Sequence, residues 1–263
     1  MVPRHFQRRG LKAHSLRMSE DEPRRLDVEL VRRGLMASRA QARAAIEAGK
    51  VLVQGAVATK PGLPVTLETV IAAEPAHPWV SRGGLKLDHA LRIFGVDPGG
   101  RSCLDVGAST GGFTDVLLAR GARRVVAVDS GRDQLHAKLR GDPHVVSLES
   151  TDARELTAAM LGVPPSLIVV DASFIGLAKL LARPLELAAE KAWLVGLFKP
   201  QFEVGAAHVG RGGIVSDDAA VESAAEEFER WLSAQGWPIK QWTPSPITGG
   251  DGNRERLFCA TNI

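Results

Sequence analysis

From about residue 81 onward, short apolar runs alternate with segments of helical periodicity. The runs predict strands over 102–106, 124–129, 144–148, 166–170, 192–198, about 239–243, and 256–261. The segments between them predict helices near 83–94, 112–120, 132–140, 174–190 and 217–235. Strands alternating with helices imply an α/β fold of Rossmann-like, doubly wound type, with a mostly parallel sheet.

Residues 24–75 follow a different pattern and read as a small α+β unit. Leu26, Leu30 and Val31 share one face of a helix over 24–33 that stops at Gly34. Ser38 opens a second helix with a capping-box pattern, Gln41 standing three residues on. Ala42, Ala45 and Ile46 form its inward stripe, and Gly49 closes it. Val51 and Val53 alternate with outward positions, and Gln54-Gly55 predicts the turn of a hairpin. The stretch PAHPWV, residues 75–80, marks a Pro-containing linker, bounded at 76–82, with Trp79 expected as an anchor, and the remaining domain runs over 83–263. Residues 1–23 are basic but have no apolar core or cleavage site, so they read as a flexible tail rather than a secretory signal, with Met18 as an alternative start.

Composition narrows the class. A chain of 263 residues has room for one or two domains, and 44% hydrophobic with 24% charged residues excludes disorder, collagen-like repeats and a coiled-coil rod. No run approaches the ~18 apolar residues that a membrane helix needs. Cys103 and Cys259 both lie in apolar runs and are too few for a disulfide framework or a zinc cluster, which makes a reducing cytoplasm the simplest setting. Nothing in the sequence calls for a metal or for more than a monomer.

Charge is unevenly spread. The sequence pI is about 9.1. Residues 1–75 carry a net +5 and residues 76–263 a net −2. A basic front on a mildly acidic body suggests a module for a polyanion. Arg24, Arg25, Arg32, Arg33, Arg39 and Arg43, with Lys50 and Lys60, are the candidate phosphate-binding residues, the alternative being an ordinary solvated face. The absence of aromatic residues from 24–75 favours recognition of shape and backbone over base stacking.

The glycine-rich loop DVGASTGGFTD, residues 105–115, follows the first strand of the larger domain. It fails the dinucleotide fingerprint because Ser109 stands at the third position, and it fails the P-loop pattern because Phe113 replaces the lysine. A loop without a cation suits a ligand without phosphates. Asp129 ends the second strand, where an acid accepts hydrogen bonds from ribose hydroxyls. Together these features point to S-adenosylmethionine. The candidate cofactor contacts are Asp105, Gly107, Ser109, Gly111, Gly112, Phe113, Asp129, Asp152 and Asp171. Asp152, Asp171 and Lys199 follow the third, fourth and fifth strands and so share one rim of the sheet, where ligands bind. The plainer alternative is a structural Asp–Lys pair. His136 and His208 sit at no strand end and are weaker candidates for a base.

The stretch RLDVELVRRGLMASRAQARAAIEAGKVLVQGAVATKPG resembles the alpha-L RNA-binding domain of small-subunit ribosomal protein four in its R-L-D opening, its S-R-x-x-A helix start and its G-K-V-x-V-x-G hairpin. The second module resembles the FtsJ-type ribose methyltransferases. The whole of residues 24–263 resembles the TlyA family, often labelled haemolysin A, through WVSRGGLKL, LDVGASTGGFTDVLL, DQLHAKLR, VVDASFIGL, FKPQFEVG, RGGIVSDD and GDGNRE. The resemblance implies methyl transfer from S-adenosylmethionine to 2'-hydroxyls of ribosomal RNA, with cytidine as the target and ribosomal RNA or subunits as partners. Matching motif by motif places a Lys-Asp-Lys-Glu tetrad at Lys86, Asp171, Lys199 and Glu255. The chain departs from relatives at Arg256, where an aromatic is usual, and at Asp152, where asparagine is common; either side chain at 152 accepts a hydrogen bond from an adenine amino group.

The chemistry then asked of the tetrad is alignment of a hydroxyl with the methyl group and removal of its proton. A lysine serves as a base only where a neighbouring cation or burial favours its neutral form. The resemblance thus casts Lys199 as base, Lys86 as the nearby cation that also holds the ribose, Asp171 as orienter of Lys199, and Glu255 as the group that positions Lys86 or the ribose. Two alternatives remain. A membrane-active haemolysin is disfavoured by the absence of a spanning segment or basic amphipathic helix. A non-catalytic RNA-binding protein is disfavoured by the intact Lys86, Asp171 and Lys199 set.

Overall fold

The computed structural model describes residues 22–263, so of the expected tail at 1–23 all but Glu22 and Pro23 lies outside the described residues. The chain divides into two compact units, one ending at Pro78 and the other beginning at Trp79.

The first unit contains β1 (Arg24–Arg25), α1 (Leu26–Arg32), α2 (Arg39–Glu47), β2 (Val51–Val53), β3 (Ala56–Val57), β4 (Pro64–Val65) and β5 (Ile71–Ala73). Leu26, Leu30, Ala42, Ala45, Ile46, Val51 and Val65 form its core, which bears out the stripes read from the sequence. The Ser38 hydroxyl accepts from the Gln41 amide at 3.2 Å, and Gln41 Oε1 accepts from the Ala37 amide, one residue beyond the usual capping box. Gln54 (φ 52°) and Gly55 (φ 81°) are both left-handed, as a two-residue type I′ hairpin turn requires. The expected helix over 24–33 starts late. Arg24 and Arg25 pair instead with Val65 and Pro64. The short strands β4 and β5 escape detection because two or three residues carry too little pattern.

The second unit is a seven-stranded sheet flanked by helices. Its strands are β6 (Ser102–Val106), β7 (Arg124–Val128), β8 (Val145–Leu148), β9 (Leu167–Val170), β10 (Trp193–Phe198), β11 (Ile239–Pro244) and β12 (Arg256–Thr261), in the order β11-β12-β10-β9-β6-β7-β8. β8, β7, β6, β9 and β10 run parallel, whereas β12 lies antiparallel to both β10 and β11. The helices are α3 (Gly83–Phe94), α4 (Gly112–Ala119), α5 (Ala137–Arg140), α6 (Ala158–Leu161), α7 (Leu177–Glu186), α8 (Pro200–Glu203) and α9 (Asp218–Ala234). Trp79, expected as a linker anchor, packs on Gly84 in α3, where any larger residue would collide with the indole.

Two helices are shorter than their periodicity suggests. Over 132–136 the helix gives way because the Glu149 carboxylate takes the amides of Gln134 and Leu135, and the His136 ring caps α5. Residues 174–176 form a loop in which Phe174 is left-handed (φ 69°). Cys103 and Cys259 are free and buried. Among the described residues no helix is long and apolar enough to cross a membrane.

Candidate active site

The strand order reverses between β6 and β9, which places a crevice beyond their carboxyl ends. A cleft of about 590 Å³ opens there, lined among others by Gly107, Asp129, Asp152, Asp171 and Phe174. A second hollow of about 200 Å³ adjoins it, with Ser81, Gly83, Phe113 and Lys199 in its wall. Gly107, Ser109, Asp171 and Ser173 line both.

The loop after β6 owes its shape to backbone requirements. Gly107 is left-handed (φ 83°), and a Cβ there would stand 2.9 Å from the Asp171 carbonyl oxygen. Gly111 (φ 91°) leaves space for Leu135 and Leu139 and lines neither hollow. Gly112 leaves space for the Ser81 hydroxyl. Phe113 lies mostly in the core and shows one edge to the smaller hollow. Asp129 is fixed by the amides of Ser109 (2.8 Å) and Gly131 (2.7 Å), one to each carboxylate oxygen, and each oxygen keeps a lone pair for a ligand.

Asp105 requires a correction. It is fully buried, lines neither hollow, and accepts the Thr114 hydroxyl at 2.6 Å. Burial pushes its carboxyl up to about 7 against that hydrogen bond. It braces the loop from beneath and is not a cofactor contact. Asp152 does line the cleft but is shared with Arg154, whose guanidinium lies 2.5 Å away and whose hydrogen bond holds the acid below its usual range. Arg154 was not anticipated.

The four tetrad candidates form two ion pairs. Asp171 ends β9 and Lys199 ends the neighbouring β10, so parallel register brings them together: Lys199 Nζ lies 2.6 Å from Asp171 Oδ1 and donates to Ser173 Oγ at 2.9 Å. Lys86 on α3 meets Glu255, just before β12, at 2.5 Å, with both side chains buried. Lys86 is thus a paired cation, not a lone one. Asn253 steadies the approach to Glu255, its side chain bonding Gly213 O (2.8 Å) and the Val215 amide (2.9 Å). No motif announces this clasp, nor Glu203, which accepts the Leu177 amide at the start of α7 and is pushed up to about 7 by burial. Neither histidine joins the site; His136 caps α5 and His208 pairs with Asp217. Among the described residues no cluster of metal-ligating side chains occurs.

In the first unit, the anticipated arginines converge on two buried acids. Arg25, Arg39 and Arg43 hold Asp27 at 3.0–3.1 Å; Arg32 (2.7 Å) and Arg33 (2.8 Å) hold Glu29, with Arg24 at 4.0 Å. Burial raises the Asp27 carboxyl, but the three arginines outweigh it and hold it well below the usual range. The Arg32 hydrogen bond leads in lowering Glu29 to about 2, against burial. Six guanidiniums on two carboxylates leave a strongly positive cluster. Arg33 is committed inward, donating to the carbonyls of Thr66, Leu67 and Thr69. Lys50 pairs loosely with Glu74 at 3.4 Å, and Lys60 is exposed.

The larger cleft suits S-adenosylmethionine. Asp129, Asp152 and Asp171 favour a cationic, hydroxyl-rich ligand, backbone approaches closely at Gly107, and the loop has no phosphate-reading lysine.

Comparison with known proteins agrees. The FtsJ-like methyltransferase model matches residues 79–262 and the S4 domain model matches residues 24–71. The chain is 47% identical over 233 residues to 16S/23S rRNA (cytidine-2'-O)-methyltransferase TlyA of Mycobacterium tuberculosis, covering 88% of this chain and 87% of that protein. It is 38% identical to 23S rRNA (cytidine-2'-O)-methyltransferase TlyA of Campylobacter jejuni over 182 residues, 68% of this chain and 70% of that one. A solved structure from Streptococcus thermophilus that carries a hemolysin name superposes with a TM-score of 0.72 at 36% identity, covering 91% and 88% of the two chains. With a cleft that suits S-adenosylmethionine at the sheet's switch point and a family model matching residues 79–262, the chain belongs to the FtsJ-like methyltransferases, enzymes that use S-adenosylmethionine, and carries an S4 domain ahead of the catalytic unit.

Proposed function

We propose that this enzyme methylates a ribose 2'-hydroxyl of ribosomal RNA, at cytidine, with Lys199 as the base. The observation that carries this reading is the shared wall of the two hollows. Asp171 and Ser173 face both, while Lys199 faces only the smaller one. The larger cleft then holds the methyl donor and the smaller one a ribose, so that methyl group and hydroxyl meet at the wall. The TlyA relatives act on cytidine 2'-hydroxyls of ribosomal RNA, and the basic S4 unit supplies a surface for a phosphate backbone.

S-adenosylmethionine, when bound, supplies an already activated methyl group. Asp129 would hold the ribose hydroxyls of the donor and Asp152 its adenine amino group. Lys199 takes the proton of the 2'-hydroxyl as the oxygen–carbon bond forms. Asp171 orients the Lys199 amine and stabilises the ammonium left after transfer. The Lys86–Glu255 pair lines neither hollow; it ties α3, whose first residue Gly83 lines the smaller one, to the start of β12. These roles fit an enzyme of the cytoplasm acting on ribosomal subunits.

The test is transfer of labelled methyl from S-adenosylmethionine to isolated ribosomal subunits and to naked ribosomal RNA from cells lacking this gene, with modified positions mapped by resistance to alkaline cleavage. A labelled, resistant cytidine that disappears with Lys199→Ala is expected. Donor binding without label on any RNA would refute the acceptor, and full activity of Lys199→Ala would refute the base.

A further inference from the structure

We propose that Ser173 is a positioning residue that fixes which proton of Lys199 is exchanged with the acceptor hydroxyl. This rests on the reading of Lys199 as the base. A lysine ammonium has three N–H bonds. Ser173 Oγ accepts one at 2.9 Å, and Asp171 Oδ1 lies 2.6 Å from the nitrogen as its ion-pair partner, without hydrogen-bond alignment. Among the described residues no third protein group bonds the nitrogen, and Lys199 lines the smaller hollow together with both of its partners.

The consequence is chemical. When the ammonium loses a proton, the loss falls on the hydrogen turned to neither oxygen, because Ser173 holds one by a hydrogen bond and the Asp171 charge attracts another. The lone pair is left at that third position. As the 2'-oxygen bonds to the methyl carbon, its proton passes to this lone pair, and the amine returns to an ammonium with all three hydrogens. Ser173 keeps its hydrogen bond and Asp171 its ion-pair contact throughout, and neither gains nor loses a proton. With Asp171 alone, the amine would rotate about its terminal bond and the lone pair would sweep a cone. Ser173 removes that freedom, which is an orientation effect. Ser173 sits two residues beyond Asp171, on the turn that leads into Phe174 (φ 69°), and this places its hydroxyl beside the end of β10.

The experiment compares the full-length enzyme with Ser173→Ala, Ser173→Thr and Lys199→Ala, using ribosomal subunits and S-adenosylmethionine. Ser173→Ala is expected to lower kcat about tenfold or more while KM for the donor and its calorimetric affinity stay within about twofold. Ser173→Thr, which keeps the hydroxyl, restores most of kcat. A readout independent of activity is the lysine side-chain 1H–15N NMR spectrum. The Lys199 signal, assigned by its loss in Lys199→Ala, is expected to be protected from solvent exchange in the wild type and in Ser173→Thr, and broadened in Ser173→Ala. A Ser173→Ala enzyme with wild-type kcat and an unaltered Lys199 signal overturns the proposal, as does a threonine variant no better than alanine. If Lys199→Ala itself keeps activity, the base assignment has failed. If Lys199→Ala is inactive and Ser173→Ala is normal, only the role of Ser173 has failed.

Discussion

Lys86 and Glu255 stand 169 residues apart in the chain and 2.5 Å apart in the fold. One comes from the first helix of the catalytic unit, the other from the residue that leads into β12. Both side chains are buried, so removing either leaves a desolvated charge with no partner, at a cost of ~3–5 kcal/mol. Glu255→Ala and Lys86→Ala are each expected to lower the denaturant midpoint strongly and to abolish methyl transfer. Lys86→Met combined with Glu255→Leu should recover much of the stability while remaining inactive. A double variant as unstable as the singles would show that packing, not charge pairing, dominates there.

Gly107 makes donor binding sensitive to a single methyl group. Its φ of 83° disfavours any Cβ, and that Cβ would press on the Asp171 carbonyl at 2.9 Å. Gly107→Ala therefore forces β6 and β9 apart at the floor of the cleft. Calorimetry should find affinity for S-adenosylmethionine reduced about tenfold or more, well beyond any loss of global stability. Unchanged affinity would mean that the loop relaxes elsewhere.

In the S4 unit, buried acids organise exposed cations. Asp27→Asn raises the net charge by one, and on charge counting alone it should tighten RNA binding. The structure predicts the reverse, because Asp27 holds Arg25, Arg39 and Arg43 in one array. Filter binding to ribosomal RNA at fixed salt should show weaker binding by the variant, and tighter binding would mean that the array needs no scaffold. Since Asp27 and Glu29 both titrate below their ordinary values of 3.8 and 4.5 in the fold, their contribution to stability is complete once pH is above both of those values, and is lost as pH falls below them.

The catalytic unit has the opposite dependence. Burial raises Asp105 and Glu203 to about 7, so the fold prefers their protonated forms. Their contribution is complete below pH ~4, shrinks as pH rises towards 7, and is constant above. All five tryptophans fall within residues 79–263, so their fluorescence follows this unit alone. Urea midpoints should fall between pH 5 and pH 7.5, and Glu203→Gln should fall less, by on the order of 1–3 kcal/mol. Identical slopes in both proteins would remove Glu203 from the account.

The parallel strands were legible because each is a short, mostly apolar run, and Asp129, Asp171 and Lys199 were legible because each is a charged residue that follows such a run. Asp105 misled for a reason the same pattern conceals. It belongs to the strand rather than to its end, and its partner Thr114 lies in the helix beyond the loop. Lys86 and Glu255 were placed only through motif resemblance, since no spacing rule joins residues so distant. The arginines were visible as charges, but the two acids that gather them looked like ordinary residues of a helix surface.

β12 follows β11 in the chain yet inserts between β11 and β10. During synthesis, therefore, β10 waits with an unpaired flank until every other strand has been made. Such a flank is a template for wrong partners. The residues that line the larger cleft all lie between Val106 and Leu180, well before β12 in the chain, whereas Lys86 finds its partner just ahead of β12. The last strand in the sequence therefore completes both the middle of the sheet and the Lys86 pair, two features that no earlier part of the chain can supply.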